Sequence, residues 1–273
     1  MTETQDEREA LEWQVGVWDR ISDLYLREID QRFASVVEAI VARARLTAGE
    51  NVLDLGTGTG ALAERAAESV GAGGQVVGVD ISLQMLALAR ERMAARGLTN
   101  VTLSEERGES IPAPDHSFDV VLSSLTLMYV IDRAAAAREI ARVLRPGGRL
   151  IATVWGEPDE CDIVLFQQTA GQFADPPPVA GVGPGALADP APFLQQLIDA
   201  GIEPHVETEM LGFDFPDFRS AWEALAGVTT AHLSPDQHQQ ARRAVMEAMY
   251  PGGDAPRHFK NLTQFIIGRA IGQ

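Results

Sequence analysis

The densest chemistry in the chain lies in Asp54-Leu-Gly-Thr-Gly-Thr-Gly60, where glycines at 56, 58 and 60 follow an acidic residue. Glycines at alternate positions let a ligand approach the backbone with no Cβ in the way. A helix opening just after them presents free N–H groups and the positive end of its dipole, which suit a carboxylate or a phosphate. Gly56, Gly58 and Ala61 also fit the dinucleotide pattern G-x-G-x-x-G/A. Two carboxylates separate the alternatives. Asp54, two residues before the first glycine, attracts an ammonium group and repels a pyrophosphate. Asp80, twenty residues beyond Gly60, suits a ribose diol, which both cofactor classes carry. Asp54 therefore discriminates between cofactors and Asp80 does not.

Placing these groups requires alternating strands and helices. Asn51–Leu55 reads as a first strand, Ala61–Val70 as a helix ended by the Gly71–Gly74 turn, and Gln75–Asp80 as a second strand. Ser82 is placed to cap the next helix, which ends near Gly97. Val101–Leu103 and Phe118–Ser123 are further strands. A helix from Arg133 to Leu144 stops at Pro146-Gly-Gly148, and Arg149–Trp155 is the fifth strand. This alternation predicts a doubly wound, mostly parallel α/β sheet with helices on both faces. Outside it, two helices precede Glu50. Residues 157–192 read as a long Gly/Pro-rich loop with one helix at most. Helices follow at Phe193–Ala200, Phe215–Ala226 and Ser234–Met249, with strands at His205–Met210 and Thr263–Ala270.

The stretches VLDLGTGTG (52–60), VVGVD (76–80), SFDVVLS (117–123) and LRPGGRL (144–150) together resemble the class I S-adenosylmethionine-dependent methyltransferases, in that family's order and spacing over roughly residues 48 to 155. Within the family the chain looks most like the small-molecule branch that includes ubiquinone- and menaquinone-type C-methyltransferases. The resemblance implies a seven-stranded Rossmann-like methyltransferase fold with helical cap insertions, and S-adenosylmethionine as cofactor. It implies that Asp54 and the loop Gly56, Thr57, Gly58 and Gly60 hold the methionine end, that Asp80 takes both ribose hydroxyls, and that Ile81 and Met85 flank the adenine. It places Ser123 beside the sulfonium and Tyr25 on a covering helix. One departure stands out: where many relatives read Asp-Ala-Glu, this chain reads Arg107-Gly108-Glu109. Adenine recognition then falls to Glu106, Glu109 or the backbone at Gly108.

In this resemblance the whole chain, 1–273, is one methyltransferase domain. A helical cover (1–47) and a cofactor-binding core (48–155) are joined by two lid or specificity insertions (157–192 and 213–260). The insertions carry Phe166, Phe173, Phe213, Phe215 and Trp222, Trp155 ends the core beside them, and the cover carries Trp13 and Trp18. These predict a hydrophobic, lidded pocket for a small, largely apolar organic acceptor of secondary-metabolite or quinone-like kind, methylated on carbon, oxygen or nitrogen.

The methyl group of such a cofactor is already electrophilic, so the protein's main task is alignment and exclusion of water, and a base is optional. The candidates for acceptor chemistry are Tyr129, after the fourth strand, and His232 in the presumed cap. Two other readings keep their place: a protein that binds S-adenosylmethionine without transferring methyl, and an NAD-dependent oxidoreductase, which Asp54 disfavours.

Composition narrows the field further. The net charge is −17, from 39 acidic and 22 basic residues, and such a field repels nucleic acid. A single cysteine, Cys161, rules out an internal disulfide and a cysteine-cluster metal site, and the histidines lack metal-ligand spacing. No apolar stretch is long enough to span a membrane, and the acidic start lacks a signal pattern. The expectation is a cytoplasmic monomer or homodimer with no metal, no nucleic-acid partner and no membrane partner.

Overall fold

A computed structural model describes residues 5–176 and 178–271. Helix α1 (Gln5–Leu24) continues into a π-helical turn (Tyr25–Ile29), and α2 (Ala34–Ala44) follows. The core then runs β1 (Asn51–Leu55), α3 (Ala61–Val70), β2 (Gln75–Asp80), α4 (Leu83–Arg96), β3 (Val101–Glu105), β4 (Phe118–Ser124), α5 (Arg133–Val143) and β5 (Leu144–Trp155). After it come α6 (Asp162–Gly171), α7 (Ala191–Asp199), β6 (Ile202–Phe215), α8 (Phe218–Leu225), α9 (Gly227–Thr230), α10 (Pro235–Met249) and β7 (Arg257–Ala270).

The strands form one seven-stranded sheet in the order β3-β2-β1-β4-β5-β7-β6. The pairs among β1 to β5 are parallel, while β7 runs antiparallel to both β5 and β6. Val52, Leu53, Val120, Val121, Leu122, Leu150 and Ile151 are all fully buried. Runs of this kind, apolar on both faces, are what a sheet covered by helices on each side demands. The strand order reverses between β1 and β4. At that switch point the two following loops diverge and leave a crevice at the carboxyl ends of the strands.

The local signals account for most boundaries. The Ser82 side chain accepts the Met85 N–H at the start of α4, and Gly97 closes that helix in the left-handed conformation. Asp132 caps α5 in the same way, and Ser234 and Gln237 form a capping box on α10.

Several expected bounds move. Strand β5 starts at Leu144, not Arg149. Leu144 pairs with Phe118, the ladder then slips, and Arg149 pairs with Val120, so Pro146-Gly-Gly148 is a bulge inside a strand. Arg145 anchors that bulge through Asp119 at 2.5 Å. Phe215 ends β6 instead of opening a helix, because its ring packs edge-on against Phe259 of β7, 5.0 Å between centroids; α8 begins at Phe218 under an Asp217 cap. Strands β6 and β7 are both longer than the expected 205–210 and 263–270, pairing over their full lengths. The 157–192 region holds all of α6, whose Ile163, Val164 and Phe166 are buried. Pro177, within the Asp175–Pro178 run, lies outside the described residues, as do the first four residues of the acidic N-terminus.

Candidate active site

Two cavities lie side by side near the switch point. The larger, about 810 Å³ including its mouth, opens over the ends of β1, β2 and β4 and is roofed by Leu11, Gln14 and Trp18 of α1. The second, about 580 Å³, lies beside it against α6, α8 and α9. Trp18, Tyr25, Leu125 and Tyr129 line both.

Asp80 sits at the end of β2 in the wall of the larger cleft. Its Oδ2 accepts the Gly58 N–H at 2.8 Å and its Oδ1 accepts the Ser82 N–H at 2.9 Å. Burial raises its pKa to about 6, opposed by the N–H groups of Ser82, Gly58 and Ile81. Asp54 stands one strand away and is fully buried. Its Oδ2 accepts the Thr57 hydroxyl at 2.6 Å, while Oδ1 completes no hydrogen bond among the described residues. Burial raises this carboxyl to about 7; Thr57 and the nearby Ala63 N–H pull the other way, and the Asp80 charge adds to the rise. Two buried carboxylates with raised pKa values beside one cleft form a site that gains from an incoming cation.

The three glycines have different tasks. A Cβ on Gly56 would fall 2.2 Å from the Thr126 side chain, so this glycine lets the loop after β4 close on the loop after β1. A Cβ on Gly60 would meet Met93 Cε at 2.9 Å and Ala89 Cβ at 3.0 Å, so this one sets the approach of α3 to α4. Gly58 faces the cleft and donates to Asp80.

The covering segment is tied down by polar contacts. The Ser82 hydroxyl donates to Asp19 of α1 at 2.6 Å, and Gln14 donates to the Tyr129 carbonyl at 2.8 Å. Asp30, just past the π-helical turn, accepts the Thr59 hydroxyl at 2.8 Å and pairs with Arg92. The Trp18 ring stands perpendicular to Tyr129 at 5.0 Å and nearly so to Tyr25 at 6.4 Å.

Of the residues expected from the sequence, Tyr25, Gly56, Gly58, Asp80, Ile81, Met85, Gly108, Glu109 and Tyr129 line the cleft. Asp54, Thr57 and Gly60 lie behind it and act on the loop. Ser123 does not reach it: its hydroxyl donates to the Leu55 carbonyl at 3.0 Å in the sheet interior, and because neighbouring strand residues face opposite ways, Ser124 is the one in the lining. His232 is absent from both cavities. It is exposed, with Nε2 accepting from Arg20 at 2.8 Å on the outside of α1. On the far wall of the cleft, Glu109 Oε1 accepts the N–H groups of Ile131 and Asp132 at 3.3 Å each and meets Arg107 at 3.5 Å. Its carboxylate is engaged in fixing the wall, while Glu106 also lines the cleft. Among the expected aromatics, Trp18 and Trp155 line the smaller chamber, whereas Phe166 and Phe215 are fully buried in the core.

The sequence reading missed Gln14, Asp19, Asp30 and Thr126. Their roles depend on how α1 lands on the core and on Leu125, a non-glycine residue at φ 56°, and neither leaves a local pattern.

Residues 46–170 match the family model of the methyltransferase domain. Over 111 residues the chain is 42% identical to the ubiquinone/menaquinone biosynthesis C-methyltransferase UbiE of Serratia proteamaculans, covering 40% of this chain and 44% of that protein. The Hahella chejuensis protein of the same name is 38% identical over 119 residues, 43% of this chain and 48% of that one. The matches span less than half the length of these relatives. In overall shape the structure resembles the YcgJ protein from Bacillus subtilis (TM-score 0.65, 19% identity, 87% of this chain and 98% of that one). It also resembles the [4+2]-cyclase SpnF (TM-score 0.56, 23% identity, 88% and 81%). These two likenesses concern fold alone. Among the described residues no helix is long and apolar enough to cross a membrane, and no group of three or more His, Cys, Asp or Glu could hold a metal ion.

The cleft fits S-adenosylmethionine. It offers a carboxylate at Asp80 for a diol and a glycine loop for close approach. Behind the glycine loop, a buried Asp54 oxygen without a hydrogen bond among the described residues favours positive charge nearby.

Proposed function

We propose that this protein transfers the methyl group of S-adenosylmethionine to a small, largely apolar organic molecule. One observation carries the reading: the cleft that presents Asp80 lies against a second chamber lined almost wholly by apolar side chains, with Trp18, Tyr25, Leu125 and Tyr129 lining both. A polar nucleoside site side by side with an apolar acceptor site is what methyl transfer between two bound molecules requires. The identity to C-methyltransferases in the cofactor half supports the same reading.

In this reading Asp80 binds the ribose, Ile81 and Met85 pack on the adenine, and Glu106 with the Gly108 backbone meets its edge. Gly56 and Gly58 pass the methionine end, with Asp54 and Thr57 holding the loop from behind. Bound there, the cofactor supplies an electrophilic methyl on a sulfonium. The protein aligns the acceptor through the chamber walls and excludes water under α1. The N-terminal helices act as the cover, and 157–192 together with the helical segment between β6 and β7 acts as the specificity element. The acidity supports the absence of a nucleic-acid partner, and a cytoplasmic monomer or homodimer remains part of the proposal.

Calorimetric titration with S-adenosylmethionine, repeated on Asp80→Ala, tests the proposal. Micromolar binding lost in the variant, followed by S-adenosylhomocysteine formation with an apolar acceptor, supports it. No binding to the wild type overturns it, and binding without turnover across phenols, enols, indoles and amines returns the non-transferring alternative.

A further inference from the structure

The smaller chamber is walled mostly by regular structure: α1 and its π-helical turn, β5, α6, α8 and α9 supply most of the lining. Its polar side chains are Gln167, Tyr25 and Tyr129. One wall residue, Pro184, comes from the irregular segment between α6 and α7. That segment is fastened at both ends. Before Pro184, Gln237 of α10 donates to the Phe173 carbonyl at 3.1 Å. After it, Leu187 is buried and Gln264 Nε2 donates to the Ala188 carbonyl at 2.8 Å.

Between these anchors, residues 181–185 form a strap whose middle is tied to the turn after β4 by hydrogen bonds. The Gly183 N–H donates to the Met128 carbonyl at 3.0 Å, and Arg133, the first residue of α5, donates to the Gly181 carbonyl at 2.5 Å. A Cβ added at Gly181 or Gly183 would meet nothing within 4 Å, so the strap stands clear of its neighbours there. Gly183 holds φ at 134°, a conformation that glycine alone adopts freely. Arg133 also donates through Nε and Nη2 to the Leu127 and Met128 carbonyls, at 3.0 Å each. Its hydrogen-bond partners among the described residues are thus all backbone carbonyls. The guanidinium joins the strap to the Leu127–Tyr129 turn and lines neither cavity.

We propose that this strap is the door through which the acceptor enters and leaves the smaller chamber, with Arg133 as its latch. The proposal rests on the reading of that chamber as the acceptor site. Opening breaks the bonds to Gly181 and Gly183 and carries Pro184 out of the wall, while Phe173 and Leu187 stay anchored. A local opening of this kind costs a fraction of the global stability. The larger cleft is roofed by α1 instead, so the two ligands use separate doors. The acceptor can therefore exchange while the cofactor stays bound. Arg133 is a positioning residue that acts through the strap.

The test uses the full chain saturated with S-adenosylhomocysteine, which occupies the larger cleft, and N-phenyl-1-naphthylamine as a neutral apolar probe. Stopped-flow energy transfer from tryptophan reads probe entry beside Trp155, a lining residue, and displacement reads exit. Arg133→Ala should raise the entry and exit rates together by about tenfold, the weight of one hydrogen bond to a charged group. Probe affinity should stay within about twofold of wild type, because a door changes rates and not the bound state. Arg133→Lys, which keeps a cation but not the fork of donors, should fall between. Gly183→Ala leaves Arg133 and its turn intact and strains the strap itself, so it should also quicken both rates. S-adenosylhomocysteine dissociation should be unchanged in all three variants, and Val228→Trp, which fills the chamber, should abolish the probe signal. Wild-type probe rates in both Arg133→Ala and Gly183→Ala overturn the inference. So does S-adenosylhomocysteine dissociation that quickens alongside the probe in Arg133→Ala, the mark of a residue that merely supports the Tyr129 turn. Either result leaves the acceptor site standing. No saturable probe binding by the wild type, or a signal that survives Val228→Trp, overturns both the door and the reading of the chamber as the acceptor site.

Discussion

The Asp80 carboxylate accepts the N–H of Gly58 at 2.8 Å, joining the end of β2 to the glycine loop that follows β1. One side chain thereby fixes the loop and borders the cleft. A second bond, from the Ser82 N–H at 2.9 Å, orients the carboxyl plane at the entry to α4. Asp80 is thus pre-positioned by two backbone donors, so little ordering is left for a ligand to impose.

Asp80→Ala should weaken S-adenosylmethionine binding by a hundredfold or so, about 3 kcal/mol, because it deletes charge-assisted bonds to the diol and also frees the loop. Asp80→Asn keeps the shape and should lose roughly tenfold less. Calorimetry on the two variants reads this directly. Equal affinities for Asn and Ala would mean that the loop, not the carboxylate, carries the interaction.

Binding should also release protons. Before a cation arrives, Asp54 titrates near 7 and Asp80 near 6. A bound cation favours the charged form of each, so tight binding needs both carboxyls ionised, and at pH 6 each still holds part of a proton that binding releases. The dissociation constant should fall as pH rises from 5 to about 7, by up to about tenfold per unit for each proton released. Titrations at pH 6 in two buffers of different ionisation heat measure that release. A dissociation constant flat across this range, with no proton released, would remove both groups from the electrostatics of binding.

The same shift has a cost in the ligand-free protein. The unfolded chain loses the Asp54 proton near the ordinary carboxylate value, about 3.9, whereas the folded chain holds it to about 7. Between those values the folded state binds more protons, so this group's contribution to stability falls as pH rises and levels off above 7. Asp54→Asn keeps an acceptor for Thr57 and removes the titration. Relative to wild type it should gain about 2–4 kcal/mol on going from pH 4 to pH 8, read by chemical denaturation at both values. A difference between the two proteins that does not change with pH would show that Asp54 titrates normally.

The sequence made the parallel core legible because each part of it is encoded locally. The runs around Leu53, Val77 and Val121 are apolar on both faces. Ser82 and Asp132 cap their helices, and glycines end the turns. Asp80 could be placed for the same reason, since a strand end and a glycine loop fix its position within a few residues. Ser123 failed by one residue, which in a strand is the difference between the sheet interior and the cleft. His232 failed because its position depends on where α9 and α10 settle against α1, which no short-range pattern encodes. The chamber is assembled from α1, α6, α8 and α9, far apart in sequence, and its polar exceptions became visible only once those helices were packed.

The last relationship concerns entry. Helix α1 roofs the cleft, yet its ties to the core here are polar: Asp19 Oδ1 accepts the Ser82 hydroxyl at 2.6 Å and lies 3.4 Å from the Gln84 N–H, at the positive end of α4. Helix α1 also buries Ala10, Val17 and Ile21, so this polar tie is one part of what holds the cover, and losing it lowers the cost of the opening through which a cofactor bound beneath α1 would leave. Asp19→Ala should therefore speed S-adenosylhomocysteine dissociation by about tenfold, the value of one charge-assisted bond. It should lower global stability by no more than about 1 kcal/mol. Trp18, in the wall of the same cleft, provides the fluorescence signal for stopped-flow measurement. Dissociation at the wild-type rate in Asp19→Ala would mean that the roof stays shut by packing alone and that the cofactor leaves by another route.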